Sequence, residues 1–443
     1  MPIDSLKRRS CRAAQAISTI APARQDQRGR GLDRPVAACL LLGLTPSWSG
    51  APALSGPDAP PGLTVSSNLQ ATSEMGDASD SAESSLRRAD VVLRPFLERS
   101  NAIGAWQIVN TLVPYGLLWL AALWCLEQQP VLVLPVLALQ VLFLARCFSL
   151  MHDCGHESLF RSRRANRWAG FVLGVVAGIP QLPWSRGHAF HHRHNGDWQK
   201  YQGPSALIST EAFAQLSPNA QRFDRWLRHP LMLVPGGFFD LVIKPRLALV
   251  LGVRDLISWL VTQLQHTPTA NLGTLFAAHR SRHWHSPSEG VDLIWNNIVV
   301  VGLWILLGSL LGVTRFWSLD APLMTCAAAV FICVFFVQHN VPNSYAHRSE
   351  GWSAMAGVIE GTSNLELPPL LNWFTADIGC HAIHHLCEAI PNDRLRACQE
   401  RNASLLRDER RLDLTDIPGC FAFILWDPTA ARLTTIAAQG CKS

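Results

Sequence analysis

The sequence predicts an all-α integral membrane protein, with four transmembrane helices arranged as two hairpins and a cytosolic helical cap that carries histidine-rich segments. Three observations predict this class. Hydrophobic residues make up 48% of the 443 residues and charged residues only 16%, whereas soluble domains carry roughly a quarter charged residues. Four segments are apolar over the ~20 residues that a helix needs to cross a bilayer. The 16 Trp against 3 Tyr also fit a membrane protein, because Trp favours the membrane–water interface.

The N-terminal segment, residues 1–90, differs in composition from the rest of the chain. It is rich in Ala, Ser, Pro, Gly and Arg, and its first third is poor in acidic residues, as is typical of a transit peptide. The run VAACLLLGL at 36–44 resembles a signal-peptide core. A disordered extension, and a start assigned too early with Met75 as the first residue, are the other interpretations. We therefore expect an N-terminal extension at 1–90 and a membrane domain at 91–443.

The four long apolar segments form two pairs. Residues 103–126 and 130–151 are joined by EQQ, and residues 293–313 and 321–337 are joined by TRFWSLD. Such short linkers predict helical hairpins whose free ends share one side of the membrane. That side is expected to be cytoplasmic by the positive-inside rule, because four arginines closely follow the second segment: Arg161, Arg163, Arg164 and Arg167.

Weaker apolar stretches lie between the two pairs. Residues 168–184 are short and broken by Gly and Pro, and residues 229–252 also contain both. Residues 253–264 are amphipathic. We expect these stretches to lie in the membrane interface or to enter the bilayer only partway.

Histidines cluster at four places that the predicted topology brings to one face of the membrane. HDCGH (152–156) and QHN (338–340) follow the second and fourth spans, and HAFHH (188–192) and HAIHH (381–385) lie in the regions beyond the two hairpins. Residues three and four apart share a helix face, so HDCGH, HAFHH and HAIHH each predict imidazoles that point together. His339 of QHN is single, but it is expected to emerge from the membrane beside them. The candidate metal ligands are His152, His156, His188, His191, His192, His339, His381, His384 and His385.

This donor set predicts two metal ions. Neutral imidazole suits iron, copper, nickel and zinc rather than calcium or magnesium, and one zinc takes about four ligands. Asp153, inside the first box, and Asp377, four residues before His381, are the candidate carboxylates to accept an N–H from a ligating imidazole. His194 and the pair His279 and His283 are expected to lie outside the site.

The ordered boxes HDCGH, HAFHH and HAIHH resemble those of the membrane fatty-acid desaturases, as does the arrangement of two hairpins with boxes between and after them. The segment TADIGCHAIHHLCEAIPNDRL (375–395) is similar to the third-box region of that family. The resemblance covers roughly residues 95–400. It implies two non-haem irons held by the box histidines, O2 as co-substrate and two electrons. The implied reaction removes two hydrogens from an acyl chain and leaves a cis double bond.

Finer features narrow the resemblance. The H-x3-H spacing of the first box is similar to that of acyl-lipid desaturases of the methyl-end type, and His381 stands where front-end desaturases usually carry Gln. No His-Pro-Gly-Gly haem motif is present. The resemblance therefore implies an acyl lipid, or another acyl carrier, as substrate and a separate electron donor, ferredoxin or a cytochrome.

Other functions remain open at this point. A di-iron hydroxylase or ketolase that acts on a lipid or carotenoid shares the same box chemistry. A zinc hydrolase needs three protein ligands and usually a Glu base, and a metal transporter needs ionisable ligands inside its spans, so both are less consistent with the sequence. Nucleic acid is not an expected partner, because no basic cluster with interleaved aromatics occurs.

Overall fold

The computed structural model describes residues 87–440. Nearly all of the predicted N-terminal extension, residues 1–86, lies outside the described residues, so the predicted boundary at residue 91 stays a prediction. The described chain is mostly helical with very little sheet, which confirms the predicted all-α class.

The α-helices of the described residues are, in chain order, α1 (Asn101–Gln128), α2 (Val133–Gly155), α3 (Arg163–Val176), α4 (Gln181–His194), α5 (Thr210–Ala214), α6 (Pro218–Leu227), α7 (Leu233–Phe238), α8 (Lys244–His266), α9 (Leu272–Ala278), α10 (Pro287–Leu311), α11 (Val313–Val337), α12 (Ala354–Ile359), α13 (Pro369–Phe374), α14 (His381–Leu386), α15 (Asn392–Arg401), α16 (Ile417–Cys420) and α17 (Ala437–Gly440). Short 3-10 turns occur at Arg88–Asp90, Arg94–Phe96, Pro130–Leu132 and Pro230–Met232, and a π-helical turn occurs at Phe239–Ile243. The strands are β1 (Ser363–Leu365), β2 (Arg410–Leu412), β3 (Phe423–Asp427) and β4 (Arg432–Thr435).

Helices α1 with α2 and α10 with α11 form the two predicted hairpins. Gly312 alone separates α10 from α11, and its φ of 87° suits glycine, which has no Cβ to clash in this region. The predicted linker at 314–320 is therefore wrong, because these residues form the first turns of α11. They stay helical because Phe316 stacks on Trp119 of α1 at 6.0 Å and Leu319 is buried between the hairpins.

Five helices among the described residues are long and apolar enough to cross a membrane, one more than the four predicted spans. The fifth is the run Pro230–His266, which the sequence predicted to be broken by its Pro and Gly residues. The prolines do not break it because Pro230 and Pro245 fall in the first turns of their helical segments, where the missing N–H is not needed. The π-helical turn at Phe239–Ile243 joins the two parts of the run.

The cap consists of the described segments outside these five candidate spans, and it holds two small sheets. Strand β1 pairs in parallel with β2, and β3 pairs antiparallel with β4. Apolar side chains around Trp198, Leu207 and Trp426 form one core of the cap, and a second core contains Ile383 and Ile390. The two cores fix the segments that carry the histidines.

Polar side chains on α10 position the start of α4, which carries the second box. An Asp292 carboxylate oxygen accepts the Leu182 N–H at 2.9 Å, and Asn296 donates to the Ile179 carbonyl at 3.1 Å. Free N–H groups at a helix start need such acceptors. The buried face of α10 therefore fixes where α4 begins, and so where its histidines lie.

Candidate metal centre

All nine candidate histidines fall into two groups of buried or half-buried rings. The five-histidine group consists of His152, His156, His188, His192 and His384, and the four-histidine group consists of His191, His339, His381 and His385. Within each group the potential ligand nitrogens lie within 4.8 Å of one another, close enough to hold a metal ion. The arrangement therefore offers two adjacent candidate metal positions, and the number of bound metal ions stays a prediction.

Different elements supply each group. His152 lies in the last turn of α2, and His156 follows at its C-terminal cap. The second box occupies the end of α4, and the third box forms the short helix α14. His339 follows directly after α11, where the chain leaves the last candidate span. The ends of both hairpins thus meet at the same place in the cap.

The ring nitrogens of the five-histidine group are arranged as if around a cation. His152 Nδ1 lies 3.1 Å from an Asp153 oxygen, and His156 Nδ1 lies 3.1 Å from a Glu388 oxygen. A carboxylate accepts, so each Nδ1 carries the proton and each Nε2 of a neutral ring presents a bare lone pair. These two Nε2 atoms lie 3.3 Å apart. Two lone pairs that face each other at this distance repel, so the donor set fits a bound cation.

The four-histidine group shows the same pattern. His339 Nδ1 donates to the Gly361 carbonyl at 3.1 Å, which leaves its Nε2 unprotonated and 3.0 Å from His381 Nε2. His191 Nε2 and His385 Nε2 lie 3.2 Å apart. Imidazole donors without hard oxygen ligands suit iron, copper, nickel or zinc. Both groups therefore fit a transition metal.

Burial holds these rings in the neutral form that binds metal. Desolvation lowers the pKa of the four-histidine group, and for His339 the pKa falls to about 4. Desolvation, followed by the neighbouring rings, also lowers the pKa of three members of the five-histidine group: His188, His192 and His384. The hydrogen bond from His156 lowers the pKa of Glu388, which is therefore ionised. At neutral pH these seven imidazoles are therefore uncharged, and each has one nitrogen with a free lone pair.

The two predicted carboxylates have different partners. Asp153 contacts His152 as expected, and its second oxygen accepts from Asn392 at 2.6 Å. Asp377 instead pairs with Arg396 at 3.2 Å. The expectation for Asp377 assumed one helix through to His381, but α14 begins at His381 and Asp377 has a φ of 52°. A residue in the left-handed region breaks the helix, so the four-residue spacing no longer puts both side chains on one face.

Glu388 is a carboxylate of the site that the sequence predictions missed. It follows His384 by four residues, the same spacing that drew attention to Asp377, but it lies beyond the end of α14. This four-residue spacing from His384 was the signal in the sequence that could have identified Glu388. The structure places its oxygen against a histidine of the first box rather than against its own helix.

The other histidines considered in the sequence lie outside both groups. His194 packs against Phe190 with ring centroids 4.5 Å apart. His279 packs between Trp259 and Trp284, and His283 lies next to Gly252 of α8.

An apolar cavity leads to both groups. Side chains of α2 and α11, among them Ala145, Phe148 and Phe331, line its part within the candidate spans. Its other end is lined by histidines of both groups: His152, His188, His191 and His381. Trp184 also lines it and stacks on His188, with ring centroids 4.7 Å apart and planes inclined by 18°. The cavity therefore joins apolar surface of the spans to the two candidate metal positions.

A family model described as fatty acid desaturase matches residues 128–413, which include all nine histidines. The chain belongs to the fatty acid desaturase family. This membership makes it an oxidoreductase by family, and together with the five candidate spans it is consistent with an integral membrane protein.

Three relatives illustrate the relationship. A fatty acid desaturase of Bacillus subtilis is 27% identical over 334 residues, which is 75% of this chain and 85% of that protein. An sn-1 oleoyl-lipid 12-desaturase of Synechocystis sp. is 27% identical over 57% of this chain. An sn-1 acyl-lipid omega-3 desaturase (ferredoxin) of Nostoc sp. is 25% identical over 57% of this chain. The chain spans 63% and 62% of the last two proteins.

Proposed function

We propose that this desaturase acts on acyl lipids, holds two iron ions at its two histidine groups, and inserts a cis double bond with O2 and two external electrons. The observation that carries the proposal is the apolar cavity, which joins the candidate spans to histidines of both groups. An acyl chain is apolar and resides in the bilayer, so such a cavity matches it in chemistry and location. Acyl-lipid desaturases among the relatives support the substrate class.

The nine histidines would hold the metals, five at one position and four at the other. Iron bound there would supply the redox chemistry that couples reduction of O2 to removal of two hydrogens from neighbouring carbons. Burial lowers the pKa of seven of these histidines outside the candidate spans, so these rings supply lone pairs without competing protons. At His152, His156 and His339, the carboxylate or carbonyl partner at Nδ1 holds the ring in the orientation that turns Nε2 inward.

Aromatic side chains of the cavity would orient the acyl chain and exclude water. Phe148 and Phe331 stack with ring centroids 4.2 Å apart, and Phe148 meets Trp184 edge-on at 5.2 Å. Because Trp184 also stacks on His188, one continuous aromatic wall runs from the spans to the five-histidine group. A rigid wall of this kind would fix which carbons of the chain lie beside the metals.

We place the histidine groups on the cytoplasmic side, where a soluble ferredoxin or cytochrome would reach them. Support comes from the arginines at the end of the first hairpin, since Arg161, Arg163, Arg164 and Arg167 are all exposed. The name of the Nostoc relative includes ferredoxin, which supports the same class of donor for this chain.

Expression in a host with simple lipids, followed by fatty-acid profiling, tests the proposal. The expected result is a new cis double bond that is absent from cells expressing His384→Ala. Its position along the chain would define the regiospecificity. A hydroxylated or ketolated product without a new alkene would contradict desaturation and favour the oxygenase alternative. Cells expressing His283→Ala provide the matched control, because His283 lies outside both groups, and they should keep the wild-type profile.

A further inference from the structure

Glu388 connects histidines from different boxes. Its Oε2 lies 3.1 Å from Nδ1 of His156 in the first box and 3.9 Å from Nδ1 of His192 in the second. It follows His384 of the third box by four residues. All three histidines belong to the five-histidine group. A single carboxylate therefore contacts two ligand rings that come from separate helices, and it is carried by the segment that supplies a third.

The acceptors that lie against the Nδ1 atoms of the histidines differ in charge between the two groups. In the described chain, the two carboxylates that lie 3.1 Å from a box-histidine nitrogen, Asp153 and Glu388, both contact the five-histidine group. At the four-histidine group, His339 donates to the neutral carbonyl of Gly361. A carboxylate that accepts the Nδ1 proton makes the ring a stronger donor at Nε2 than a carbonyl does, and it adds negative charge near the metal.

Glu388 also differs from Asp153 in exposure. About half of the Glu388 side chain is exposed, 48%, whereas that of Asp153 is 7% exposed. Asp153 is in addition hydrogen bonded to Asn392 in the interior, so its removal would disturb packing as well as the histidines. Because about half of the Glu388 side chain already faces solvent, we expect its substitution to disturb packing less than substitution of Asp153 would.

We propose that Glu388 is a positioning residue that makes the five-histidine group the tighter of the two metal positions. This inference rests on the proposed function, because it assumes a metal at each group. Glu388 accepts the Nδ1 proton of His156 and so fixes the tautomer of that ring. At 3.9 Å it makes no hydrogen bond to His192, but its negative charge favours the tautomer of His192 with the proton on Nδ1. Both Nε2 atoms then point to one metal, and the carboxylate charge stabilises the cation electrostatically.

Graded chelation of purified, iron-loaded protein in detergent tests the inference, with iron per chain measured at each chelator concentration. In the wild type we expect two steps, with one iron retained after the other is lost. In Glu388→Ala the retained iron should be released at about 10- to 100-fold lower chelator concentration, the range found when outer partners of metal-ligating histidines are removed. Glu388→Gln should fall between the two, because an amide oxygen accepts a hydrogen bond but carries no charge.

Glu366→Gln is the matched control, since Glu366 is an exposed glutamate that pairs with Arg411 away from the histidines. It should release iron as the wild type does. Mössbauer spectra of protein loaded with ⁵⁷Fe provide a second measurement, in which Glu388→Ala should change one of two iron signals and leave the other unaltered.

Two results would overturn the inference while leaving the proposed function intact: an unchanged chelation profile for Glu388→Ala, or an equal loss of affinity at both positions. Wild-type protein that binds no iron would instead contradict the proposed function, and the inference with it. The two failures are therefore distinguishable from the same titration.

Discussion

His188 and His192 lie one helical turn apart and belong to the five-histidine group, whereas His191, between them, belongs to the four-histidine group. Successive residues on a helix point about 100° apart, so the middle histidine faces a different direction from the other two. In the third box the assignment is reversed. The middle histidine, His384, belongs to the five-histidine group, whereas His381 and His385 belong to the four-histidine group. Each H-x-x-H-H segment therefore serves both positions, which explains why the pattern occurs twice in one chain.

Loss of any one box histidine should abolish desaturation. His384→Ala removes the single third-box ligand of the five-histidine group and leaves four rings there, so activity should fall below detection while the protein still inserts in the membrane. Fatty-acid profiles combined with detection of the chain in the membrane fraction check this prediction. His283→Ala should retain at least half of wild-type activity, and near-wild-type desaturation by His384→Ala would refute the assignment of the third box.

The box histidines should make the metal-free protein sensitive to acid. Seven of them outside the candidate spans have a folded-state pKa below the ordinary 6.5, mainly because of burial. The unfolded chain therefore binds more protons than the folded chain as pH falls below about 6.5. Their contribution to stability is complete above that pH and is lost as pH falls towards the folded-state values.

We accordingly expect the thermal unfolding temperature of chelator-treated protein in detergent to fall as pH is lowered from 7.5 to 5. Metal-loaded protein should resist the change down to lower pH, because bound metal competes with protons for the same nitrogens. A metal-free protein equally stable at both pH values would argue against buried neutral histidines.

At the scale of elements, the contact between α12 and the end of α4 sets the position of the second box. A Cβ on Gly357 of α12 would lie 2.3 Å from the carbonyl oxygen of Asn195, the residue that follows α4. Asn195 also donates to the Gly357 and Gly361 carbonyls, and the latter carbonyl accepts from His339. No side chain larger than hydrogen fits between the two backbones without displacing one of them.

Gly357→Ala should therefore reduce both stability and bound metal. Overpacking of this kind costs about 1–3 kcal/mol, and the displaced α4 would carry its histidines with it. Unfolding temperature and iron per chain are the two measurements. Gly302→Ala in α10 is the matched control, because nothing lies within 4 Å of an added Cβ there, and it should lower neither value. If both variants behave alike, the contact does not position the box.

The elements that the sequence predicted well are those with a long, regular pattern. Both hairpins followed from apolar length. Eight of the nine candidate histidines followed from helical spacing, and His339 followed from its position at the end of the fourth predicted span. The failures lie where the backbone leaves that regularity. The prediction for Asp377 failed because its own positive φ prevents one helix from running from Asp377 to His381. Glu388 was missed because it contacts His156, which lies 232 residues earlier in the chain. Spacing along one helix carries no information about such contacts.

The run Pro230–His266 has contacts that place its start and the middle of α8 on the histidine side. Arg228, just before it, donates to the carbonyl of Ala206 in the cap. Near the middle of α8, Gly252 packs against Trp284, which also lies against Gly290 at the start of α10. We therefore expect the run to enter the bilayer and return to the same face, although its length and composition would allow a crossing.

Epitope insertion tests this course of the chain. An epitope after Thr269, beyond the run, should be accessible on the same side of the membrane as one at the C-terminus. An epitope after Gln129, in the turn of the first hairpin, should be accessible only from the opposite side. Antibody labelling of intact and permeabilised cells distinguishes the two sides. If the epitopes after Thr269 and after Gln129 were accessible from the same side, the run would cross the membrane.

If the two groups of histidines, drawn together from both hairpins and the cap, hold two iron ions beside the apolar cavity, the metal content of the protein should show it. Protein purified from iron-replete cells should contain about two irons per chain and no stoichiometric zinc. Both irons should be lost when the histidines of both groups are replaced. One zinc per chain and no iron would exclude a di-iron centre.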